Sequence, residues 1–179
     1  MKRIKIHHQT KWKVAGILLP LTSYLLPLLI SCTQIDCPVQ NTVYTVYDLM
    51  KADGTRDTML TDTLWIWTQR ADGSDTLLMN RFCGASATTF DLPISYTQPE
   101  DVLMALIADT LGHYTLDTIR IKKENTPHFE SVDCQAAYFH TITAVSTTHN
   151  GLDSIGINNP TVNYDASTAH FYLYRKARQ

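Results

Sequence analysis

The chain has 179 residues and a formal net charge of −2, but Lys2, Arg3, Lys5, Lys11 and Lys13 crowd its start and all 17 acids lie beyond residue 31. With those five of the 15 basic residues set aside, 10 basic groups face 17 acidic ones, a body with about seven net negative charges. So acidic a body, without a basic cluster, is poorly suited to nucleic acid or to anionic lipid headgroups; Arg120-Lys122-Lys123 and Arg175-Lys176-Arg178 read as a solvated strand end and a solvated tail.

Behind the basic start, Val14 to Ile30 is apolar but holds Pro20 and Pro27. The run falls short of the roughly 20 residues a spanning helix needs, and interior proline kinks a helix. A charged start, a short apolar stretch and a small residue before a cut mark a secretory leader. Here a cysteine follows the cut. Leu29-Ile30-Ser31-Cys32 resembles the lipobox of bacterial lipoproteins. The sequence therefore predicts a lipoprotein leader over 1–31, lipidation of Cys32, a lipidated tether over 32–41 and a folded domain over 42–179. More than one acyl chain is needed for stable anchoring, and the lipoprotein resemblance implies a diacylglyceryl group plus an amino-terminal acyl chain. Thr33 rather than Asp follows Cys32, which by resemblance to enteric lipoproteins favours the outer membrane. Asp36 is the one acid just after the cysteine, a weak signal for display at the surface.

The body suits one domain with a sizeable core. Thr, Tyr, Val and Ile are frequent and helical periodicity is absent, as expected of pleated, half-buried strands. The strands read in chain order are 43–49, 64–69, 76–79, 88–94, 102–108, 113–122, 129–132, 137–147, 154–157, 162–164 and 169–175. In the first, Val43, Thr45, Tyr47 and Leu49 share a face. The run 102–108 is continuously apolar and reads as a strand buried on both faces or a short helical turn. Ala52-Asp53-Gly54 and Ala71-Asp72-Gly73-Ser74 are turn signals. Many short strands punctuated by Gly, Pro and Asp predict an immunoglobulin-like antiparallel β-sandwich, with a closed β-barrel as the alternative.

Asp, a hydroxyl residue and an apolar residue recur together, with the hydroxyls at Thr58, Thr63, Thr76, Thr110, Thr118 and Ser154. Turn chemistry accounts for this directly: Asp bonds nearby backbone and Thr opens a strand. The triplet also resembles the O-glycan acceptor of exported Bacteroidetes proteins, which makes these hydroxyls candidate glycosylation sites wherever they are exposed.

With Cys32 reserved for lipid, Cys37, Cys83 and Cys134 remain, enough for one disulfide and one leftover thiol in an oxidising compartment. Three pairings are possible. Cys37–Cys134 is favoured, because Cys37 opens the folded part and Cys134 closes the strand-like run 129–132, while Cys83 lies in a turn context. The cysteines lack the short paired spacings of a metal site, and the histidines lack those of a zinc motif. No cofactor motif and no nucleophile elbow is present. A hydrolase would have to assemble dispersed residues such as Asp133, His128 and His140. Trp65 and Trp67 share one strand face, opposite Leu64 and Ile66. Burial in a sandwich core is the usual fate of such tryptophans; exposed, the pair would stack on sugar rings.

Asp36-Cys37-Pro38-Val39-Gln40-Asn41-Thr42-Val43-Tyr44, Leu92-Pro93-Ile94-Ser95-Tyr96, Asn125-Thr126-Pro127-His128-Phe129 with Cys134, and Asn158-Asn159-Pro160 with Asn163-Tyr164 together resemble a domain-of-unknown-function family of Bacteroidetes outer-membrane lipoproteins. The resemblance implies an exported, lipid-anchored β-domain with Cys37 and Cys134 at recurring cysteine positions and Cys83 as a departure. It implies no catalytic residue. The expectation is a non-catalytic accessory or binding module, held to the membrane by its lipid and engaging an envelope protein or glycan. An envelope-polymer hydrolase and a purely structural component are the alternatives.

Overall fold

The computed structural model describes Cys37, residues 42–70 and residues 72–176. The leader, the lipobox and most of the tether lie outside the described residues. Ten strands follow in order: β1 (Tyr44–Met50), β2 (Met59–Gln69), β3 (Asp75–Gly84), β4 (Thr89–Pro93), β5 (Glu100–Asp109), β6 (Tyr114–His128), β7 (Ala137–Thr147), β8 (Leu152–Ile157), β9 (Thr161–Val162) and β10 (Phe171–Arg175). They form a four-stranded sheet in the order β4-β1-β10-β8 and a six-stranded sheet in the order β3-β2-β5-β6-β7-β9. Neither sheet closes on itself, so the architecture is the β-sandwich and not the barrel.

Period-two alternation builds the core. Tyr47, Leu49, Phe90, Leu92, Phe171 and Leu173 come from the small sheet; Leu64, Ile66, Leu103, Ala105, Ile107, Ile119, Ile121 and Ile142 come from the large one. Tyr47 is the centrepiece, its ring 4.9 Å from both Phe90 and Phe171. Thr45 supplies a polar neighbour there, its Oγ1 donating to the Tyr47 hydroxyl oxygen at 3.2 Å. All named pairings are antiparallel except one: β1 runs parallel to β10, with Tyr47 opposite Phe171 and Leu49 opposite Leu173.

Several strands differ from their sequence reading. β5 is neither doubly buried nor helical: Leu103, Ala105 and Ile107 point inward and the residues between them outward. Residues 129–132 form no strand, because β6 continues to His128 and the chain then turns through the connection that carries Cys134. Lys123 does not belong to a solvated strand end. It continues the inward series Asp117, Ile119, Ile121, and its side chain is wholly buried. Its Nζ lies 2.8 Å from Asp101 Oδ1, an ion pair without the alignment of a good hydrogen bond. Asp117 holds the β7–β8 connection. One carboxylate oxygen accepts from Asn150 N at 2.6 Å and Thr148 Oγ1 at 2.9 Å, the other from Gly151 N at 2.7 Å and Leu152 N at 2.8 Å.

Candidate functional site

On β2, Leu64 and Ile66 fill the core, 2% and 1% exposed. Alternation then sends Trp65 and Trp67 to the outer face of the six-stranded sheet, where both are half-buried. The expectation of core tryptophans is overturned: branched aliphatic side chains occupy the space between the sheets. Trp67 stands opposite Leu77 of β3 on one side and Met104 of β5 on the other. Trp65 stands opposite Leu106, which in turn faces Leu116 of β6. Leu77 is 56% exposed and Leu116 38%.

The stripe is four strands wide. At one end Val102 faces Arg120, and Glu100 faces Lys122, with Arg120 and Glu100 paired at 3.3 Å. At the other end Tyr114 is exposed beside Ala108. Outer faces of antiparallel sandwiches are normally polar, and contiguous exposed apolar surface marks an interaction site. Within the stripe the Thr118 hydroxyl of β6, opposite Met104, is directed at the Met104 sulfur at 3.6 Å. Such a surface can hold a partner by contact and shape.

Polar clusters elsewhere hold turns and loops in place. Arg175 at the end of β10 donates from Nε to Asp57 at 2.8 Å, pairs also with Asp62, and reaches the carbonyl of Thr58 at 2.9 Å. His113 Nδ1 lies 3.0 Å from Asp109 Oδ2, but the other Asp109 oxygen accepts from Leu111 N and His113 N, so the pair locks the β5–β6 turn. His140 is buried, its Nδ1 2.8 Å from Asn125 Oδ1. Burial, reinforced by the Lys123 charge, pushes its pKa down to about 4. Asn125 Nδ2 donates to the carbonyls of Tyr96 and Gln98, each at 3.0 Å, and so pins the β4–β5 loop.

The dispersed hydrolase set is not brought together. His140 faces inward with Asn125, while His128 lies on the opposite face of the sheet, stacked on Phe139 and 3.1 Å from Glu130. Asp133 is exposed in the β6–β7 connection. Among the described residues no group of three or more His, Cys, Asp or Glu side chains converges as a metal would require. Cys37 and Cys134 are bonded, with Cα atoms 5.4 Å apart. Cys83 is free and exposed, on the edge strand β3 and not in a turn. Of the candidate acceptor hydroxyls, Thr110 is exposed at the β5–β6 turn. Thr58, Thr63, Thr118 and Ser154 are partly buried, and the Thr76 hydroxyl is enclosed without a partner.

Fold and stripe together define a small all-β sandwich module with an outward apolar face and a disulfide at one end. The chain belongs to a family of unknown function, DUF6452, which it matches over residues 63–175. That match runs from the tryptophan strand to Arg175 and takes in every strand of the stripe. No curated protein and no solved structure matches the chain. Sequence reasoning missed Leu77, Met104, Leu106 and Leu116 as companions of the tryptophans. The signal was the unbroken apolar run of β5, which in an antiparallel sheet forces an apolar outer face.

Proposed function

We propose that this protein is a lipid-anchored, non-catalytic accessory module of the outer membrane that binds another envelope protein through the Trp65–Trp67 face. The lipobox at Leu29–Cys32 supports the anchor, and the absence of Asp at Thr33 supports the outer membrane. The outward stripe carries the binding reading. A protein partner is favoured over a glycan because aliphatic and thioether groups surround the indoles. Interface centres are rich in aromatics and Met, with charged residues at the rim, as Arg120, Glu100 and Lys122 stand here. Sugar hydroxyls would need convergent polar groups among the rings.

The test places a photoreactive side chain at Leu106 in the full chain and irradiates intact envelopes. A discrete crosslinked protein is expected, abolished by the Trp65→Ser/Trp67→Ser double variant at equal abundance and equal melting temperature. Crosslinks that survive the double substitution would refute the reading. Quenching of the indoles by envelope polysaccharide, with no protein crosslink, would assign the face to a glycan instead.

A further inference from the structure

Cys37 is five residues beyond Cys32 and is bonded to Cys134. Five extended residues span at most about 18 Å. With Cys32 lipidated, the connection between β6 and β7 is therefore leashed within that distance of the bilayer. This connection also exposes two large apolar side chains within four residues: Val132, 97% exposed, and Phe129, 63%. Tyr96, 59% exposed, stacks on Tyr138 at 5.0 Å, and the pair lines a cleft with Gln135 and Ala136, the residues that follow Cys134. Tyr164, 44% exposed, packs edge-on against Phe139 on the same end of the sheet.

We infer that the disulfide end of the sandwich rests on the lipid surface, with Phe129 and Val132 entering the headgroup region and Tyr96, Tyr138 and Tyr164 lying at the level of the interface. This rests on the lipidation of Cys32. Tyrosine favours membrane–water interfaces because its ring is apolar and its hydroxyl is not. The connection holds Glu130 and Asp133 but no Lys or Arg, so the contact is apolar insertion and not attraction to anionic lipid. Alone the patch is too small to hold a protein to a bilayer. Behind a short leash its effective concentration is high, and a weak contact suffices to fix orientation. The same geometry lifts the binding stripe clear of the membrane: Leu116 lies twelve residues back along β6 from His128, about 40 Å at ~3.3 Å per residue.

The experiment uses the full chain, matured and lipidated in cells, extracted in detergent and returned to phosphatidylethanolamine–phosphatidylcholine vesicles brominated high on the acyl chains. In the parent chain Trp65 and Trp67 serve as internal controls and keep their emission. Phe129→Trp and, separately, Val132→Trp add an indole that loses most of its emission to bromine. Val132→Glu in the Phe129→Trp chain restores it. Flotation of each sample with its vesicles is read alongside. A chain that floats but whose added indoles are not quenched overturns the orientation and leaves the anchor standing. A chain that fails to float overturns the anchor and the orientation with it. The vesicles contain no other protein, so quenching reports lipid.

Discussion

Replacing Asp117 with Asn keeps the shape of the side chain and removes its charge. In the wild type two carboxylate oxygens accept from three loop N–H groups and the Thr148 hydroxyl, all between 2.6 and 2.9 Å. Whichever way the amide turns, an NH2 group then faces one or two buried donors. Bonds to a charged acceptor contribute about 1.5–3 kcal/mol each, and a stranded buried donor costs about 1–3 kcal/mol. Loss of one oxygen's pair of bonds, with partial relaxation of the loop, gives a cost of roughly 3–5 kcal/mol. That is a large part of the stability of an ordinary domain, and for a chain of this size lowers Tm by roughly 8–15 °C. Urea titration and calorimetry of D117N read this directly, with an unchanged m-value expected. Acid adds a second readout. Burial alone would raise the Asp117 pKa, but the N–H groups of Asn150, Leu152 and Gly151 and the Thr148 hydroxyl outweigh it and hold the carboxyl below its usual range. The wild type therefore keeps this contribution above the ordinary carboxylate pKa and loses it as pH falls through the lowered one; D117N lacks that component. A variant within about 1 kcal/mol of wild type would refute the clamp, since no single mean hydrogen bond would then have been lost.

His140 makes stability pH-dependent in the same direction. Its folded pKa of about 4 lies below the ordinary 6.5, so the unfolded chain takes up a proton that the folded one refuses. Its contribution is complete above pH 6.5, declines toward pH 4, and amounts to about 3 kcal/mol at most; His140→Gln should flatten the urea midpoint across that window. Gly151→Ala places a Cβ 2.1 Å from Thr115 Oγ1 and 3.0 Å from Thr115 Cβ. Overpacking of this kind costs about 1–3 kcal/mol, and Thr115→Ala should recover part of it in a double-mutant cycle. Reducing the Cys37–Cys134 bond, which closes a separation of 97 residues, should cost about 4–5 kcal/mol by chain entropy, measured as a lower urea midpoint in reductant that the Cys37→Ser/Cys134→Ser chain does not show.

Legibility followed physical locality. β7 was readable to its ends, because residues 137–147 are bounded by a cysteine loop and a His-Asn-Gly turn and rich in β-formers throughout. β6 was truncated because its inward positions beyond Ile121 are Lys123 and Asn125. Each is paired inside the fold with a group remote in sequence or held by a carbonyl, and hydropathy reads both as solvent-facing. Residues 129–132 carry strand-forming Phe and Val, yet their bond through Cys134 to Cys37 bends them into a loop, and propensity does not register a long-range covalent tie. The disulfide itself was readable from the place of Cys37 at the start of the folded part. The tryptophans were correctly set on one face of β2, opposite Leu64 and Ile66. Which face turned inward depended on the other sheet, whose Tyr47 and Phe171 already fill the aromatic space of the core.

The parallel pair of β1 and β10 also orders events in time. Among the described strands β1 comes first in the chain and sits between β4 and β10, which comes last; the backbone N–H of Val46 donates to His170 Nδ1 at 2.9 Å across 124 residues. A chain growing from its N-terminus thus holds β1 with one edge unsatisfied, and the Tyr47 ring half uncovered, until β10 arrives. Such late, non-local closure is slow and leaves strand edges open to wrong partners. The small sheet is consequently incomplete until β10 has been made: a chain truncated before Phe171 lacks the middle of that sheet, and presents to proteases and chaperones an aromatic edge that the folded domain covers.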